Sequence, residues 1–342
     1  MPNPVLVELT RGPLVESHHR GAIAVARADG SMTVALGDID RPIYPRSAFK
    51  ALQAVALVES GAAEAMGLDD RALALACASH SGSDAHVETA RATLAKAGLD
   101  EAALACGAHW PRDEAAAHGL VRTGRKPGPL YNNCSGKHAG MLALAVHLGA
   151  SPAGYESPDH PVQEHIRETI SAITGAELRH DRCAVDGCSV PNWALPLRAL
   201  AHGFARFATG DGLPPPRAEA CARLRQACFA APYMVAGEGR LCTKVMTRCP
   251  GRAFVKVGAE GVYCAAFPEH GLGVAIKIDD GGRRAAELVV STIVGALLEF
   301  EPIQVARLAA RNLRNWRGLV VGERLPAEAL RDALKSLAVH HV

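Results

Sequence analysis

The stretch Tyr44-Pro45-Arg46-Ser47-Ala48-Phe49-Lys50 places a hydroxyl and an amine three residues apart, where an extended segment is expected to turn into a helix. The residues from Ala48 to Ser60 are strong helix formers that stop before Gly61. Residues three apart share one face of a helix, so Ser47 and Lys50 are expected to touch. A lysine can take the proton of a serine when burial or another cation lowers the lysine pKa.

A Ser-x-x-Lys pair also occurs by chance, and its ordinary interpretation is a helix start with a solvated lysine. The helix that follows has only Lys50, Gln53 and Glu59 as polar interruptions. Such a helix is predicted to be buried, and a buried lysine needs an explanation. The rest of the chain therefore decides whether this pair is catalytic.

The composition is that of an ordinary globular protein. The chain has 342 residues, of which 49% are hydrophobic and 21% are charged, so it can bury a large core. Its net charge is +2 and it has no long Lys/Arg run, which argues against nucleic acid and against an anionic membrane as partner. No signal-like start and no membrane-spanning apolar run is evident, so we expect a cytoplasmic protein.

The ten cysteines are expected to be thiols, because disulfides are rare in cytoplasmic proteins. Five of them sit in apolar surroundings and are predicted to be core residues: Cys77, Cys106, Cys221, Cys228 and Cys264. Five others sit in polar, turn-rich stretches, where metal ligands are to be sought: Cys134, Cys183, Cys188, Cys242 and Cys249.

Strand patterns occur near both ends of the chain. Residues 4–10 and 21–37 predict strands with a hairpin turn at Ala28-Asp29-Gly30, and residues 252–278 predict an antiparallel meander. The His18-His19-Arg20 segment is expected in a polar surface loop. One sheet completed by the two chain ends is therefore predicted.

Helical patterns dominate the middle of the chain. We predict a single domain over residues 1–342, with sheet-forming segments at about 1–45 and 250–342 and a mainly helical region at about 46–249. Within that region, residues 107–130 show no clear period and predict a long covering loop.

Two polar segments interrupt the helical region. Ser79-His80-Ser81-Gly82 follows an apolar run, and Ser79 and His80 are not needed as helix caps, which makes them site candidates. The segment from Tyr131 to Gly140 collects donors and possible ligands at the start of a helix, where anions are favoured. It lacks the glycine and lysine spacing of a phosphate loop, so nucleotide binding is not predicted.

A Ser-x-x-Lys at a helix start, an inserted helical region and a late Lys-x-Gly strand resemble the layout of serine β-lactamases, penicillin-binding proteins and glutaminases. Five motifs in order resemble rhizobial-type, class 3 L-asparaginases more closely, over nearly the whole chain. These motifs are Tyr44-Pro-Arg-Ser-Ala-Phe-Lys50, Ser79-His-Ser-Gly82, Asn132-Asn-Cys-Ser-Gly-Lys-His138, Asp186-Gly-Cys188 and Lys256-Val-Gly-Ala-Glu-Gly261. The resemblance implies an α+β, serine β-lactamase-like fold, with an antiparallel sheet from both chain ends and an inserted helical region.

The resemblance also implies an activity and a catalytic set. It implies hydrolysis of L-asparagine to L-aspartate and ammonia through a serine nucleophile, in a homodimer with zinc near the site. Ser47 with Lys50 would form one Ser-Lys tandem, and Ser79 with Lys256 would form another. Two neighbouring lysines would depress each other's pKa, which a lysine general base requires.

The same resemblance implies metal and substrate ligands. Cys134, Lys137 and Cys188 would hold Zn²⁺, and Asp186 would orient Lys137 or a metal-bound water. From the usual zinc ligands alone, His138 would be chosen before Lys137. Cys249 and Cys242 compete as further neighbours of the metal and are left unassigned. Substrate contacts are expected from Arg46, His80, Asn133, His138 and Glu260.

Other functions would use some of the same motifs. A glutaminase or a penicillin-type acyl transferase also needs the Ser-x-x-Lys and Lys-x-Gly motifs, but it would leave the cysteine-bearing Asn132–His138 segment without a role. A non-catalytic, zinc-stabilised binding protein would use Cys134 and Cys188 as structural ligands. Asparagine and glutamine differ by one methylene, which a simple pocket discriminates by only about 1–3 kcal/mol.

Overall fold

The computed structural model describes residues 2–339, which form a mixed structure of strands and helices. Within these residues the strands are β1 (Val5–Arg11), β2 (Leu14–Arg27), β3 (Met32–Leu36), β4 (Pro42–Ile43), β5 (Cys183–Val185), β6 (Pro191–Trp193), β7 (Leu195–Pro196), β8 (Phe254–Val257), β9 (Val262–Phe267), β10 (Leu272–Ile278), β11 (Asn312–Arg314) and β12 (Val320–Pro326).

The α-helices of the same residues alternate with short turns. They are α1 (Lys50–Glu59), α2 (Ala62–Ala65), α3 (Asp70–Ala76), α4 (Asp84–Lys96), α5 (Glu114–Arg122), α6 (Ser135–His147), α7 (Pro161–Thr174), α8 (Leu197–Thr209), α9 (Pro215–Ala230), α10 (Pro232–Ala236), α11 (Leu241–Arg248), α12 (Arg283–Leu297), α13 (Pro302–Leu308) and α14 (Glu328–Val339). None of the helices in residues 2–339 is long and apolar enough to cross a membrane.

The main sheet is antiparallel and is built from both ends of the chain. In the part of the chain that the structure describes it has eight strands, in the order β11-β12-β1-β2-β10-β9-β8, with β3 paired to β2. The first half of β2 pairs with β1 and the second half pairs with β10. Strand β2 therefore joins the two ends of the chain in one sheet, and the predicted fold class is confirmed. The assignment of all residues to one domain stays a prediction.

Strand β2 begins earlier than the sequence indicates. It starts at Leu14, so His18 and His19 lie in the strand opposite Glu8 and Val7 of β1, and the predicted polar loop is wrong. His19 is buried, and its Nδ1 lies 2.5 Å from Asp280 Oδ2. Backbone pairing with β1 and this hydrogen bond to Asp280 satisfy polar groups that the sequence pattern assigned to solvent.

The segment 107–130 contains a helix that its composition does not reveal. Helix α5 occupies Glu114–Arg122, and the Asp113 side chain caps it by accepting a hydrogen bond of 2.9 Å from the Ala116 backbone. The prediction of one continuous loop is therefore wrong in its middle part. The cap supplies an acceptor for a helix-start N–H group that lacks a partner within the helix.

The two faces of the sheet are covered by helices. The residues of β9 are all buried, and those of β10 nearly all, as expected for strands covered on both sides. Helices α8 and α12 both pack on these two strands. Gly273 of β10 meets the backbone of α8: a Cβ there would lie 2.0 Å from Ala205 N and 2.2 Å from Ala201 O.

The motif at residues 44–50 lies where the sheet meets the helical region. Arg46–Phe49 form a short 3₁₀ turn that contacts β8 and β9, and α1 continues from it among α6, α7 and α9. A Cβ on Gly258 would lie 2.9 Å from Pro45 O, so the end of β8 and this turn approach closely. This contact brings Lys50 of α1 near Lys256 of β8.

Gly273→Ala should destabilise the protein by at least about 3 kcal/mol, because its methyl group would overlap the α8 backbone, which cannot rotate away. Gly119→Ala is the matched control, since a Cβ at Gly119 meets nothing within 4 Å and the position lies inside helix α5. The control should be neutral or stabilising by up to about 1 kcal/mol. Urea denaturation of both variants measures this, and equal stabilities would contradict the packing described.

Candidate active site

Two lysine amines meet at the hydroxyl of one serine. Lys50 Nζ donates a hydrogen bond of 3.2 Å to Ser79 Oγ, and Lys256 Nζ donates one of 2.9 Å to the same oxygen. The three residues come from helix α1, the loop after α3 and strand β8. Lys50 is 1% exposed and Lys256 is 0% exposed. The predicted burial of Lys50 is confirmed, and Ser79 lies beside Lys256 as the resemblance implies.

Ser47 is not the partner of Lys50 in this structure. The Lys50 ammonium donates to Ala78 O at 2.6 Å, to Cys134 Sγ at 3.1 Å and to Ser79. Within residues 2–339 no hydrogen bond joins Lys50 to Ser47, which corrects the contact expected from the spacing. The reason is that a buried ammonium must satisfy its three donors, and these three acceptors already do so. Ser47 instead lines a cavity together with Ser79.

Lys256 has the electrostatic surroundings of a proton acceptor. Burial lowers its pKa to about 7, and the positive charge of Lys50 contributes to the same shift. An amine with this pKa is partly neutral near neutral pH, whereas an ordinary lysine is fully charged. Lys256 Nζ also donates a hydrogen bond of 2.8 Å to Val257 O, which holds it beside Ser79.

The serines open onto a cavity of about 320 Å³ with strongly polar walls. Its principal charged and polar lining residues are Arg46, Ser47, Ser79, His109, Arg112, Asn132, Asn133, Asp186, Arg240, Glu260 and Arg283. Four arginines against two carboxylates give the cavity an excess of positive charge. Such a site favours a small ligand that carries at least one anionic group.

Arg46 and Glu260 both line this cavity and both have unusual backbones. Their φ angles are 53° and 54°, in the left-handed region that residues other than glycine rarely adopt. Arg46 Nε donates to Asp186 Oδ1 at 2.6 Å, and its backbone N–H donates to Asn192 Oδ1. Strained backbones of this kind persist where the surrounding contacts enforce them, and they cluster at functional sites.

Two thiols and an amine lie together at one side of the cavity. Lys137 Nζ donates a hydrogen bond of 3.1 Å to Cys188 Sγ, and Cys188 Sγ lies 3.8 Å from Asp186 Oδ2. A hydrogen bond from Cys188 holds the pKa of Cys134 well below its ordinary value, and Lys50 and Lys137 act in the same direction. Cys134 is therefore disposed to be a thiolate, which is the form that binds metals.

His138 lies beside these groups, but behind the cavity wall. Its Nδ1 lies 2.5 Å from the Tyr155 hydroxyl, and its Nε2 has no hydrogen-bond partner of regular geometry within residues 2–339. Burial lowers the pKa of His138 to about 4, and the nearby Cys188 thiol partly offsets that fall. Thiols and a neutral imidazole are ligand types that Zn²⁺ prefers. Among the described residues, however, the His, Cys and carboxylate ligand atoms that all lie within 4.8 Å of one another are those of Asp159, Glu164 and His180.

Of the residues expected to contact substrate, three line the cavity and two do not. Arg46, Asn133 and Glu260 are at its surface. His80 and His138 are not, because each is fully buried and hydrogen-bonded elsewhere: His80 Nε2 lies 3.0 Å from Ser135 Oγ. His80 supports the wall rather than forming it.

The remaining cysteines are distributed as the sequence partly indicates. All five predicted core cysteines are buried. Cys242 Sγ lies 3.0 Å from the Tyr263 hydroxyl, and Cys249 is buried where helix α11 ends. Neither residue lines the cavity, and neither joins the Cys134 and Cys188 thiols.

Several cavity residues were not singled out from the sequence. His109 accepts a hydrogen bond of 2.9 Å from the Asn133 backbone, and Arg112 lies three residues further along. Both belong to residues 107–130, which the sequence predicts to be a covering loop. That prediction is the feature of the sequence that could have pointed to these two residues. Arg240 lies in a turn-rich stretch before α11 and Arg283 opens α12, and nothing in their local sequence marks either one.

The chain matches the family described as L-asparaginase II over residues 7–326. The chain belongs to the L-asparaginase II family. The matched residues include all the residues of the cavity and the strands of the main sheet apart from the first two residues of β1. The family indicates an amidohydrolase. A search of curated proteins found no match for this L-asparaginase II family member.

Solved structures similar to this L-asparaginase II family member include three proteins of low sequence identity. A protein named Mglu, in its native form, has 16% identity and a TM-score of 0.41; 77% of this chain is covered, and the chain spans only 60% of that protein. A beta-lactamase from Mycobacterium bovis has 14% identity and a TM-score of 0.43, with 82% and 94% of the two chains covered. A mutant of simvastatin synthase from Aspergillus terreus has 12% identity and a TM-score of 0.43, with 85% and 93% covered.

Replacing Lys256 by methionine should change how stability depends on pH. The folded pKa of about 7 lies below the ordinary lysine value, so above pH 7 the unfolded chain binds a proton that the folded chain does not. The wild-type free energy of unfolding should therefore increase between about pH 7 and pH 10, and the variant should lack this increase.

Urea denaturation at several pH values measures this difference under reducing conditions. The advantage of Lys256→Met over the wild type should be largest below pH 7 and should shrink as the pH rises. Parallel curves for the two proteins would show that Lys256 keeps an ordinary pKa in the folded state.

Proposed function

We propose that this protein hydrolyses L-asparagine to L-aspartate and ammonia through a serine ester intermediate. Membership in the L-asparaginase II family supports the reaction class. The observation that carries the proposal is the Ser79 hydroxyl shared by Lys50 and Lys256 in a cavity that Ser47 also lines. A buried relay of two amines and a hydroxyl can receive a proton from a nucleophile and return it to a leaving group.

Ser47 is the nucleophile of the proposed mechanism, because its side chain is only half-buried and faces the cavity, whereas Ser79 is held between the two amines. Lys50 passes a proton through the Ser79 hydroxyl to neutral Lys256. The Ser47 hydroxyl, which has no hydrogen bond to Lys50 among the described residues, must then turn toward the freed Lys50 amine, which takes the Ser47 proton. Ser47 Oγ then forms a bond to the amide carbon. This step requires Lys256 to be neutral at the outset, as its lowered pKa favours.

The carbon–nitrogen bond of the amide breaks in the next step. Ser79 gives its proton to the departing nitrogen and recovers one from Lys256, so that ammonia leaves and an ester joins Ser47 to the acyl group. Water then attacks the ester carbon, with its proton taken by the same relay. The carbon–oxygen bond to Ser47 breaks, the serine regains its hydrogen, and L-aspartate is released.

Zn²⁺ is proposed to bind beside this cavity, held by Cys134, Lys137 and Cys188, with Asp186 next to them. The support is the contact of Lys137 with Cys188, the lowered pKa of Cys134 and the buried imidazole of His138. Zinc binding would have to displace a proton from Lys137, because the neighbouring thiols raise the pKa of this lysine against the effect of burial. When bound, zinc would supply a fixed positive charge to this side of the cavity. Homodimer formation and a cytoplasmic location stay predictions from the sequence.

Ammonia release from L-asparagine by the purified protein tests the proposed function. Ser47→Ala should lower kcat by at least about 1,000-fold, because a covalent route is lost. Ser60→Ala is the matched control, since Ser60 lies at the far end of α1 and donates to Leu57 O. L-glutamine assayed in parallel separates the asparaginase from the glutaminase alternative.

Covalent labelling with a reactive substrate analogue decides which serine is the nucleophile. An electrophilic diazoketone analogue of asparagine should attach to the peptide that contains Ser47, as read by mass spectrometry. Attachment to Ser79 would reverse the two serine roles. No ammonia from either amide, with the protein folded, would overturn the proposed hydrolase function.

Metal content tests the zinc proposal without any assay of activity. Elemental analysis after dialysis should find about one zinc per chain in the wild type, and far less in Cys134→Ser or Cys188→Ser, because thiolates provide most of the affinity. Cys183→Ser is the control, since Cys183 is a half-buried thiol of the neighbouring strand β5 outside the donor set. Equal zinc in all four proteins would exclude this site.

A further inference from the structure

One arginine of the cavity lacks the anionic partner that such a residue needs. Arg240 lies before helix α11, lines the cavity and is mostly buried. Its Nε is buried without a hydrogen-bond partner, and its Nη1 donates only a long bond of 3.5 Å to Ser79 O. Within residues 2–339 no carboxylate forms an ion pair with it. A buried charge without a counter-ion is costly, so a site that keeps one is suited to an anionic ligand.

The other arginines of the cavity differ from Arg240 in this respect. Arg46 is paired with Asp186 at 2.6 Å, and Arg283 is paired with Glu287 at 2.7 Å. Arg112 is exposed and can be satisfied by water. Arg240 alone, among these four residues, is both largely buried and unpaired.

The charges around Arg240 reinforce the same conclusion. Burial lowers the pKa of Arg240, and Arg283 and Arg112 add to that shift as neighbouring cations. The groups that oppose it are the Cys242 thiol and the Tyr263 hydroxyl, neither of which is a carboxylate. An incoming carboxylate would therefore find the unpaired guanidinium of Arg240, with two further guanidinium groups nearby and, among the described residues, no carboxylate bonded to Arg240 itself.

We propose that Arg240 is the anchor for the α-carboxylate of the substrate, and that this contact sets how the substrate amide is positioned at the serines. The inference rests on the proposed function, because it takes an α-amino acid amide as the ligand. A guanidinium suits the role, since its planar donors match the two oxygens of a carboxylate.

Distance within the substrate agrees with this placement. Arg240 Nη1 lies 3.5 Å from the backbone carbonyl oxygen of Ser79, so the anchor adjoins the proton relay, and the nucleophile Ser47 lines the same cavity. In asparagine only the α and β carbons separate the carboxylate from the amide carbon. A substrate as short as this suits an arginine anchor and a nucleophilic serine that share one small cavity. Glu260, on the same cavity and without an ion pair among the described residues, is placed to accept the ammonium group.

Binding of the product and of its truncated form tests the anchor directly. Calorimetry should show that Arg240→Gln binds L-aspartate about 10- to 100-fold more weakly than the wild type, because a charge-assisted contact is lost. β-Alanine, which lacks the α-carboxylate, should bind equally to both proteins. Arg240→Lys keeps the positive charge but lacks the planar guanidinium, so its affinity for L-aspartate should lie between those of the wild type and Arg240→Gln.

A control variant separates loss of the anchor from loss of packing. Arg225 is a similarly buried arginine that packs over the Phe207 ring, and Arg225→Gln should leave the affinity for L-aspartate unchanged. Should Arg240→Gln fold poorly, Arg240→Lys alone still decides between the outcomes. Equal weakening of L-aspartate and β-alanine binding, or weakening of neither, would overturn the anchor.

Kinetics distinguish this inference from the proposed function. With L-asparagine, Arg240→Gln should raise KM; with 3-aminopropanamide, its counterpart without the carboxylate, the variant and the wild type should have equal kcat/KM. Ammonia release unaffected by Arg240→Gln would overturn the anchor and leave the hydrolase function standing. Binding of L-aspartate through Arg240 in a protein that releases no ammonia would overturn the hydrolase function and leave the anchor standing.

Discussion

The site depends on placing two lysine amines around one serine hydroxyl inside the protein. Bringing two ammonium groups out of water to the same oxygen is unfavourable, and the molecule relieves this by making one of them easy to deprotonate. Burial and the neighbouring Lys50 together lower the pKa of Lys256, while Lys50 finds three acceptors for its own hydrogens. This difference between the two lysines favours proton transfer from Lys50 to Lys256.

This arrangement accounts for much of the surrounding fold. Lys50 is on a helix buried among other helices, Lys256 is on a strand of the main sheet, and Ser79 is on the loop between α3 and α4. Three separate parts of the chain must therefore be held together at hydrogen-bond distance. The close approach of Gly258 to Pro45 and the left-handed backbone of Arg46 both lie where the sheet joins the helical region.

The cavity is also electrostatically divided. On one side the thiols of Cys134 and Cys188 lie with Lys137, and the Arg46–Asp186 pair closes that side. On another side Arg240 remains unpaired. A substrate with an anionic group matches this division better than a neutral amide does, since that group would meet an unpaired fixed cation.

The main elements followed from the sequence where local periodicity is strong. The strand pattern near both ends predicted the antiparallel sheet, and the apolar run after Lys50 predicted the buried helix α1. Helix α5 and the start of strand β2 escaped prediction, because a side-chain cap and a paired neighbouring strand stabilise segments without a clear apolar period of their own. Contacts of this kind are not encoded in the periodicity of the segment itself.

The sequence by itself determined the kinds of chemistry available: the Ser47–Lys50 motif, the thiols at 134 and 188 and the late lysine at 256. Only the tertiary structure decided the partners, because a hydrogen bond depends on distance in space and not along the chain. Lys50 therefore pairs with Ser79 across the helical region, and His80 and His138 turn inward. Arg240 became visible for the same reason, since its lack of a counter-ion is a property of its surroundings.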